Sequence, residues 1–309
     1  MHLPGGSVKP PVFYLGTHHP TWLWNGQMDG FRLFVSHNRL RDRKSAFPKA
    51  TVPGWALDSM GFTMLRDYGM WIISPRDYVR SVIRYRDELG RLEWAAPQDW
   101  MCEDAIINGG TFGGQKFKGT GLSVEEHQRR TVANFRELAT AWEELGDEDS
   151  PFMPVLQGAP GSTASYLRCA AMYETAGVRL TDYRVVGVGS VCRIQDTPAV
   201  GRLARGLAPL GLPLHWFGLK LGGLPEVWPH IASHDSLAWS YDARRSSRTQ
   251  GCTHTVTRGA KKGHPSNCAN CHRYARQWGT RVVALGAALP ARGHQVQGEL
   301  FTDLLEAVA

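Results

Sequence analysis

Eight short apolar runs punctuate the chain, and nearly every one stops on a polar residue or a glycine: "PVFYLGTH", "RLFVSH", "WALDSMG", "LEWAAPQDW", "FMPVLQG", "YRVVGVGS", "LHWFGLK" and a weaker "HIASHDSLAW". Their hydrophobicity is continuous rather than alternating, the pattern of strands covered on both faces of a parallel sheet. Good helices lie between several of them. In "SPRDYVRSVIRYRDELG", Ser74 caps, Pro75 takes the first turn and Gly90 stops the helix. "SVEEHQRRTVANFRELATAWEELG" opens on a capping box, Ser123 with Glu126. Two further helices fit residues 161–176 and 196–208. Strand and helix alternating around eight turns predicts an α/β fold, a (β/α)8 TIM barrel over residues 1–250, followed by a zinc-binding segment with C-terminal helices over 251–309. The first three runs are joined without a clear long helix, so an open doubly wound sheet is the alternative.

In such a barrel the carboxyl ends of the strands form the reactive rim. That rule gathers His18, Ser36, His37, Asp58, Asp99, Gln157, Gly189, Ser190, Lys220 and Asp235, since each ends or follows an apolar run. For any single aspartate the competing role is to cap the next helix.

Three of the six cysteines cluster in "GCTHTVTRGAKKGHPSNCANCHRYARQW". Cys-x-His followed by Cys-x-x-Cys has the spacing of a tetrahedral zinc site, with Cys252, His254, Cys268 and Cys271 as ligands and His264 and His272 as alternative fourth ligands. Four protein ligands make such a Zn2+ structural. Cysteines used this way indicate a reducing compartment. The start of the chain lacks a signal-peptide pattern and no run of about 18 apolar residues occurs, so the expectation is a cytoplasmic protein without a membrane partner. A net charge of +7 favours an anionic partner, and "NRLRDRK", "DARRSSR" and "RGAKKGH" are candidate phosphate contacts.

Taken together these residues resemble the tRNA-guanine transglycosylases, base-exchanging (β/α)8 enzymes with a zinc subdomain. "LDSMGF" looks like their "DSGGF" motif, "HDSLAWS" like the aspartate segment of their last strand, and "GVGSV" like their glycine-rich base-pocket loop. "APQDW" and "VLQG" stand where that family carries a base-reading aspartate and a Gln-Gly pair. The likeness is closer still to the shorter queuine tRNA-ribosyltransferase-like proteins of actinobacterial viruses and their hosts, through "FYLGTHHPTWL", "SHNRLRDRK", "AAPQDWMCE", "SVEEHQ" and "CANC". Two departures stand out. Met60 replaces a usual glycine, and the zinc segment reads Cys-x-His with Cys-x-x-Cys in place of Cys-x-Cys-x-x-Cys with a distant His.

The resemblance implies exchange of guanine in DNA for a 7-deazaguanine such as preQ0. Asp235 would attack C1′ to give a covalent sugar-enzyme intermediate, and Asp58 would shuttle the proton, its pKa raised by apolar neighbours such as Trp55, Leu57, Met60 and Phe62. Asp99, Gln157, Gly158 and Gly189 would read the base, with Ser59 and Ser190 beside them and Trp100 or Tyr14 available for stacking. DNA is the expected polymer ahead of tRNA; the same chemistry on RNA and a guanine-releasing glycosidase are the alternatives.

Overall fold

The computed structural model describes residues 10–146, 149–192, 194, 197–245 and 268–289. All eight apolar runs are strands. In chain order the elements are β1 (Val12–Thr17), β2 (Arg32–Ser36), β3 (Trp55–Asp58), α1 (Gly61–Tyr68), α2 (Pro75–Leu89), β4 (Leu92–Ala95) and α3 (Asp104–Asn108). A hairpin, β5 (Gly110–Phe112) with β6 (Gln115–Phe117), precedes α4 (Val124–Leu145), β7 (Val155–Leu156), α5 (Thr163–Thr175), β8 (Val186–Val188) and α6 (Thr197–Leu207). Next come β9 (Leu214–Trp216), α7 (Leu224–Val227), β10 (Ser233–Ser236), α8 (Ala238–Arg245) and α9 (His272–Ala287).

The eight strands pair in the order β4-β3-β2-β1-β10-β9-β8-β7, every pair parallel. The sheet curls until its two edges meet at one parallel bridge, Ala95 with Phe152. Period-two alternation sorts the side chains. Tyr14, Ala56, Trp94, Met153 and Val155 fill the inside of the curl. Their chain neighbours Leu15, Trp55, Leu57 and Leu156 point outward into the larger core shared with the helices. A packed interior of this kind closes the curl below the rim.

The helices form for the reasons their sequences give. Ser74 accepts the Asp77 N–H at the start of α2, Pro75 occupies the first turn, and Tyr78, Val79, Val82, Tyr85 and Leu89 are buried. Ser123 accepts the Glu126 N–H on α4, but the Glu126 carboxylate turns to Arg129 and Arg130, so only half of the capping box forms.

The expected fold class needs correction. The strands make a curled eight-stranded parallel sheet of (β/α)8 type, whose seam is a single bridge instead of a full ladder, and no zinc subdomain is shown. Past Arg245 the described element is α9, packed on α8 and β1. Among the described residues no group of three His, Cys, Asp or Glu side chains is arranged to hold a metal, and no helix is long and apolar enough to cross a membrane.

Candidate active site

The same alternation that sends Ala56, Val155 and Gly187 inward continues one step beyond each strand's middle. It turns Asp58, Gln157, Gly189 and Asp235 toward the axis at the carboxyl end of the sheet. There Asp58, Gly189 and Asp235 border a cavity of about 170 Å³, walled further by Asp99 and Glu103 with Phe34, Phe62 and Phe217 as its aromatic sides. This is well below the ~300–1,000 Å³ that encloses a drug-sized ligand. One flat ring system fits its size.

Asp58 ends β3 opposite Ser36 of β2. Burial pushes its pKa up; the Ser36 hydroxyl and the Met60 N–H, both donating to the carboxylate, offset part of that rise, and the charge of Asp235 adds to it. The Met60 bond is an Asx turn, two residues along the chain. It holds Met60 in the left-handed region at φ 68, a conformation that glycine adopts freely and other residues at a cost of roughly 1–3 kcal/mol.

Asp235, on β10, is 5% exposed. Its Oδ1 accepts from the Gly218 N–H at 2.8 Å and faces His215 Nε2 at 3.3 Å. His215 Nδ1 lies 2.8 Å from the Ser233 hydroxyl. A carboxylate only accepts, so the ring proton sits on Nε2 and the Ser233 hydroxyl donates to Nδ1. Among the described residues Oδ2 has no hydrogen-bond partner. Gly218 is required here: at φ 60, a Cβ would come within 2.8 Å of the Cys192 Cβ.

The opposite wall is a relay. Gln157 Nε2 donates to Asp99 Oδ2, the Ser190 hydroxyl lies 2.6 Å from Gln157 Oε1, and the Cys102 N–H donates to Ser190 Oγ at 2.6 Å. Glu103 Oε2 lies 3.3 Å from the same hydroxyl. Burial above all, then the charges of Asp58 and Glu103, push the Asp99 carboxyl up to about 7, against the Gln157 bond. Ser190 sits at φ 55, left-handed like Met60. Gly189 has no room for a side chain, since a Cβ would meet Gln157 Nε2 at 2.2 Å.

The structure thus brings Asp58, Asp99, Gly189, Ser190 and Asp235 to one cavity, with Gln157 braced directly behind. Ser59 and Gly158 stand outside that wall. Ser59 is buried beside Gly61, and Gly158 makes room for the Tyr166 ring, which a Cβ would meet at 2.5 Å. Tyr14 and Trp100 are buried in separate apolar clusters, Tyr14 with its hydroxyl accepting from Trp94 Nε1, so neither is a stacking surface.

Three contributors escaped the sequence reading: Glu103, His215 and the Gly218 N–H. Glu103 comes after Asp99 by one helical turn's spacing, and His215 is a lone polar residue in an apolar run; those were the available signals. Of the expected metal ligands, Cys252 and His254, with the alternative His264, lie outside the described residues. Cys268 and Cys271 are buried; Cys271 Sγ caps α9 by accepting the Tyr274 N–H at 3.4 Å, and His272 opens that helix.

Among curated proteins none matches the chain. Solved structures similar to it include the YdjI aldolase from Escherichia coli K12, 12% identical over 92% of this chain and 93% of that one at a TM-score of 0.40. Another is 2,3-dimethylmalate lyase, 12% identical over 90% and 94% of the two chains at a TM-score of 0.38. Likeness at this level says nothing of the chemistry. The family model described as "DpdA: DeoxyPurine in DNA protein A" matches residues 10–298, a span that takes in every strand and every cavity residue above. The chain belongs to the DpdA family.

Proposed function

We propose that the protein is a transglycosylase that replaces guanine in DNA with a 7-deazaguanine base. The observation that carries this reading is that Asp58 and Asp235, from β3 and β10, face one base-sized cavity whose far wall is an acceptor-rich relay. The family's name, which speaks of deoxypurine in DNA, supports the polymer.

In this reading Asp235 Oδ2 attacks C1′ of the target deoxynucleotide while Oδ1 stays held by Gly218 and His215. The C1′–N9 bond breaks, and Asp58, whose raised pKa favours the protonated acid, gives its proton to the departing guanine. The incoming base then yields its N9 proton to Asp58 and bonds C1′ through N9, releasing the Asp235 carboxylate. The two carboxylates divide the work as in a retaining glycosidase.

Ionised Asp99 accepts from the guanine N1–H and N2–H2 groups. The Gln157 amide, oriented by Asp99 and Ser190, keeps that carboxylate in place. Phe34, Phe62 and Phe217 give the ring apolar contact and exclude water. A base inside a duplex must leave its stack to enter so small a cavity.

The test is to incubate the protein with DNA or RNA and preQ0, digest each polymer to nucleosides and weigh them. A 7-deazaguanine deoxynucleoside from the DNA sample is the expected product. Free guanine released without any insertion, or insertion into RNA alone, refutes the proposal.

A further inference from the structure

Beside the reactive cavity the rim carries a cluster that the base-exchange reading leaves unused. His18 comes directly after β1, Arg39 sits in the short turn after β2, and Arg244 lies near the end of α8, the helix after β10. β10, β1 and β2 are neighbours in the sheet, so the segments that carry the three residues leave its carboxyl edge side by side. Arg244 Nη2 lies 3.0 Å from His18 Nε2, and Arg39 Nη2 lies 3.4 Å from His18 Nδ1.

That arrangement is chemically incomplete. A guanidinium only donates, and a neutral imidazole has a single acceptor nitrogen. If Nε2 accepts from Arg244 at the shorter distance, Nδ1 carries the proton and points an N–H at the Arg39 N–H. Protonating the ring worsens the conflict; burial, then Arg39, Arg244 and His19, hold its pKa down to about 4. Among the described residues neither Arg39 nor Arg244 has a carboxylate partner. By contrast Arg43, in the same basic run, is used up in packing over Trp24 and Phe47 and bonds the Ala46 carbonyl. Asp242 is two residues from Arg244 on α8 and so faces away from it.

We infer that His18, Arg39 and Arg244 form a binding site for a backbone phosphate of the DNA strand whose nucleotide occupies the neighbouring cavity. A phosphate oxygen accepts from both guanidiniums and from the ring N–H at once, which removes the donor–donor conflict. Tyr241, 51% exposed and one turn before Arg244 on α8, is placed to stack on an adjoining base. The inference rests on the proposed action on DNA and adds where the strand lies: across the ends of β10, β1 and β2.

The experiment measures a labelled single-stranded DNA oligomer binding to wild type, Arg39→Ala/Arg244→Ala and Arg39→Lys/Arg244→Lys over a range of salt concentrations, together with exchange kinetics. The alanine pair should reduce the steepness of log Kd against log salt by about 0.7 for each phosphate that is no longer neutralised. KM for DNA should rise about tenfold or more with kcat retained. The lysine pair should recover the salt slope, because the charge returns. An alanine pair that matches wild type in slope and KM, while wild type exchanges base, overturns the site alone. A wild type that neither binds nor modifies DNA overturns the site and the proposed function together. Both arginines are exposed, and unchanged thermal unfolding of the variants separates weakened binding from impaired folding.

Discussion

Asp99 holds its proton to about pH 7 in the folded protein, against 3.8 for the free side chain. A carboxyl with a raised folded pKa adds stability that is complete below its unfolded value and disappears as pH rises through the folded one. Asp99→Asn should therefore gain thermal stability relative to wild type as pH climbs from about 4 to about 7, which paired melting curves check. His18 and His37 act with the opposite sign. Both are held down to about 4, so they cost stability as pH falls below the ordinary histidine range. In the proposed mechanism the ionised form of Asp99 reads guanine, so the acid limb of kcat/KM should lie near 7. Glu103 contributes to that position through its charge. Glu103→Gln should shift the limb to lower pH, and a pH–rate profile identical to wild type would remove Glu103 from the site.

At the scale of elements, the eight strands and the capped helices were legible because continuous apolar runs and amphipathic periods are local signals, whereas the expected zinc subdomain is not shown. The rim aspartates were legible because an apolar run marks a buried strand whose polar end comes to the sheet edge: Asp58 ends β3, Asp235 is the penultimate residue of β10, and Asp99 follows β4 by four residues. What the sequence hid is long-range. His215 reads as one polar residue within "LHWFGLK" until β9 is set beside β10 and its ring meets Asp235. Tyr14 lies within β1 and Trp100 directly follows Asp99, yet strand alternation and the packing under the hairpin bury both. The left-handed turn at Ser190 is likewise tied to distant partners, Gln157 and Cys102, whereas that at Met60 is local, held by the Asp58 carboxylate. Two predictions belong here. Ser74→Ala removes the cap of α2 and should cost about 1 kcal/mol of stability while leaving exchange intact at 25 °C, measured by denaturant melts and activity side by side. Gly189→Ala drives a methyl into the Gln157 amide. It should weaken base binding sharply with far less effect on folding, as titration with the free base would reveal.

For the molecule as a whole, the curled sheet sets two acids from distant parts of the chain, Asp58 and Asp235, around one small cavity beside the basic cluster of His18, Arg39 and Arg244 proposed to hold the strand. In the proposed function the net charge of +7 favours association with DNA, and so small a cavity would take only a base already out of its stack. Single-stranded or mismatched DNA should accordingly be modified faster than a paired duplex. The central claim is that Asp235 bonds to the sugar. Its most direct measurement is intact mass spectrometry of the protein quenched in denaturant during reaction with a DNA oligomer, with peptide mapping of the product. A protein–DNA adduct located on Asp235 in wild type and absent from Asp235→Asn is the result this account predicts. An adduct on another residue, or exchange by Asp235→Asn at the wild-type rate, would contradict it.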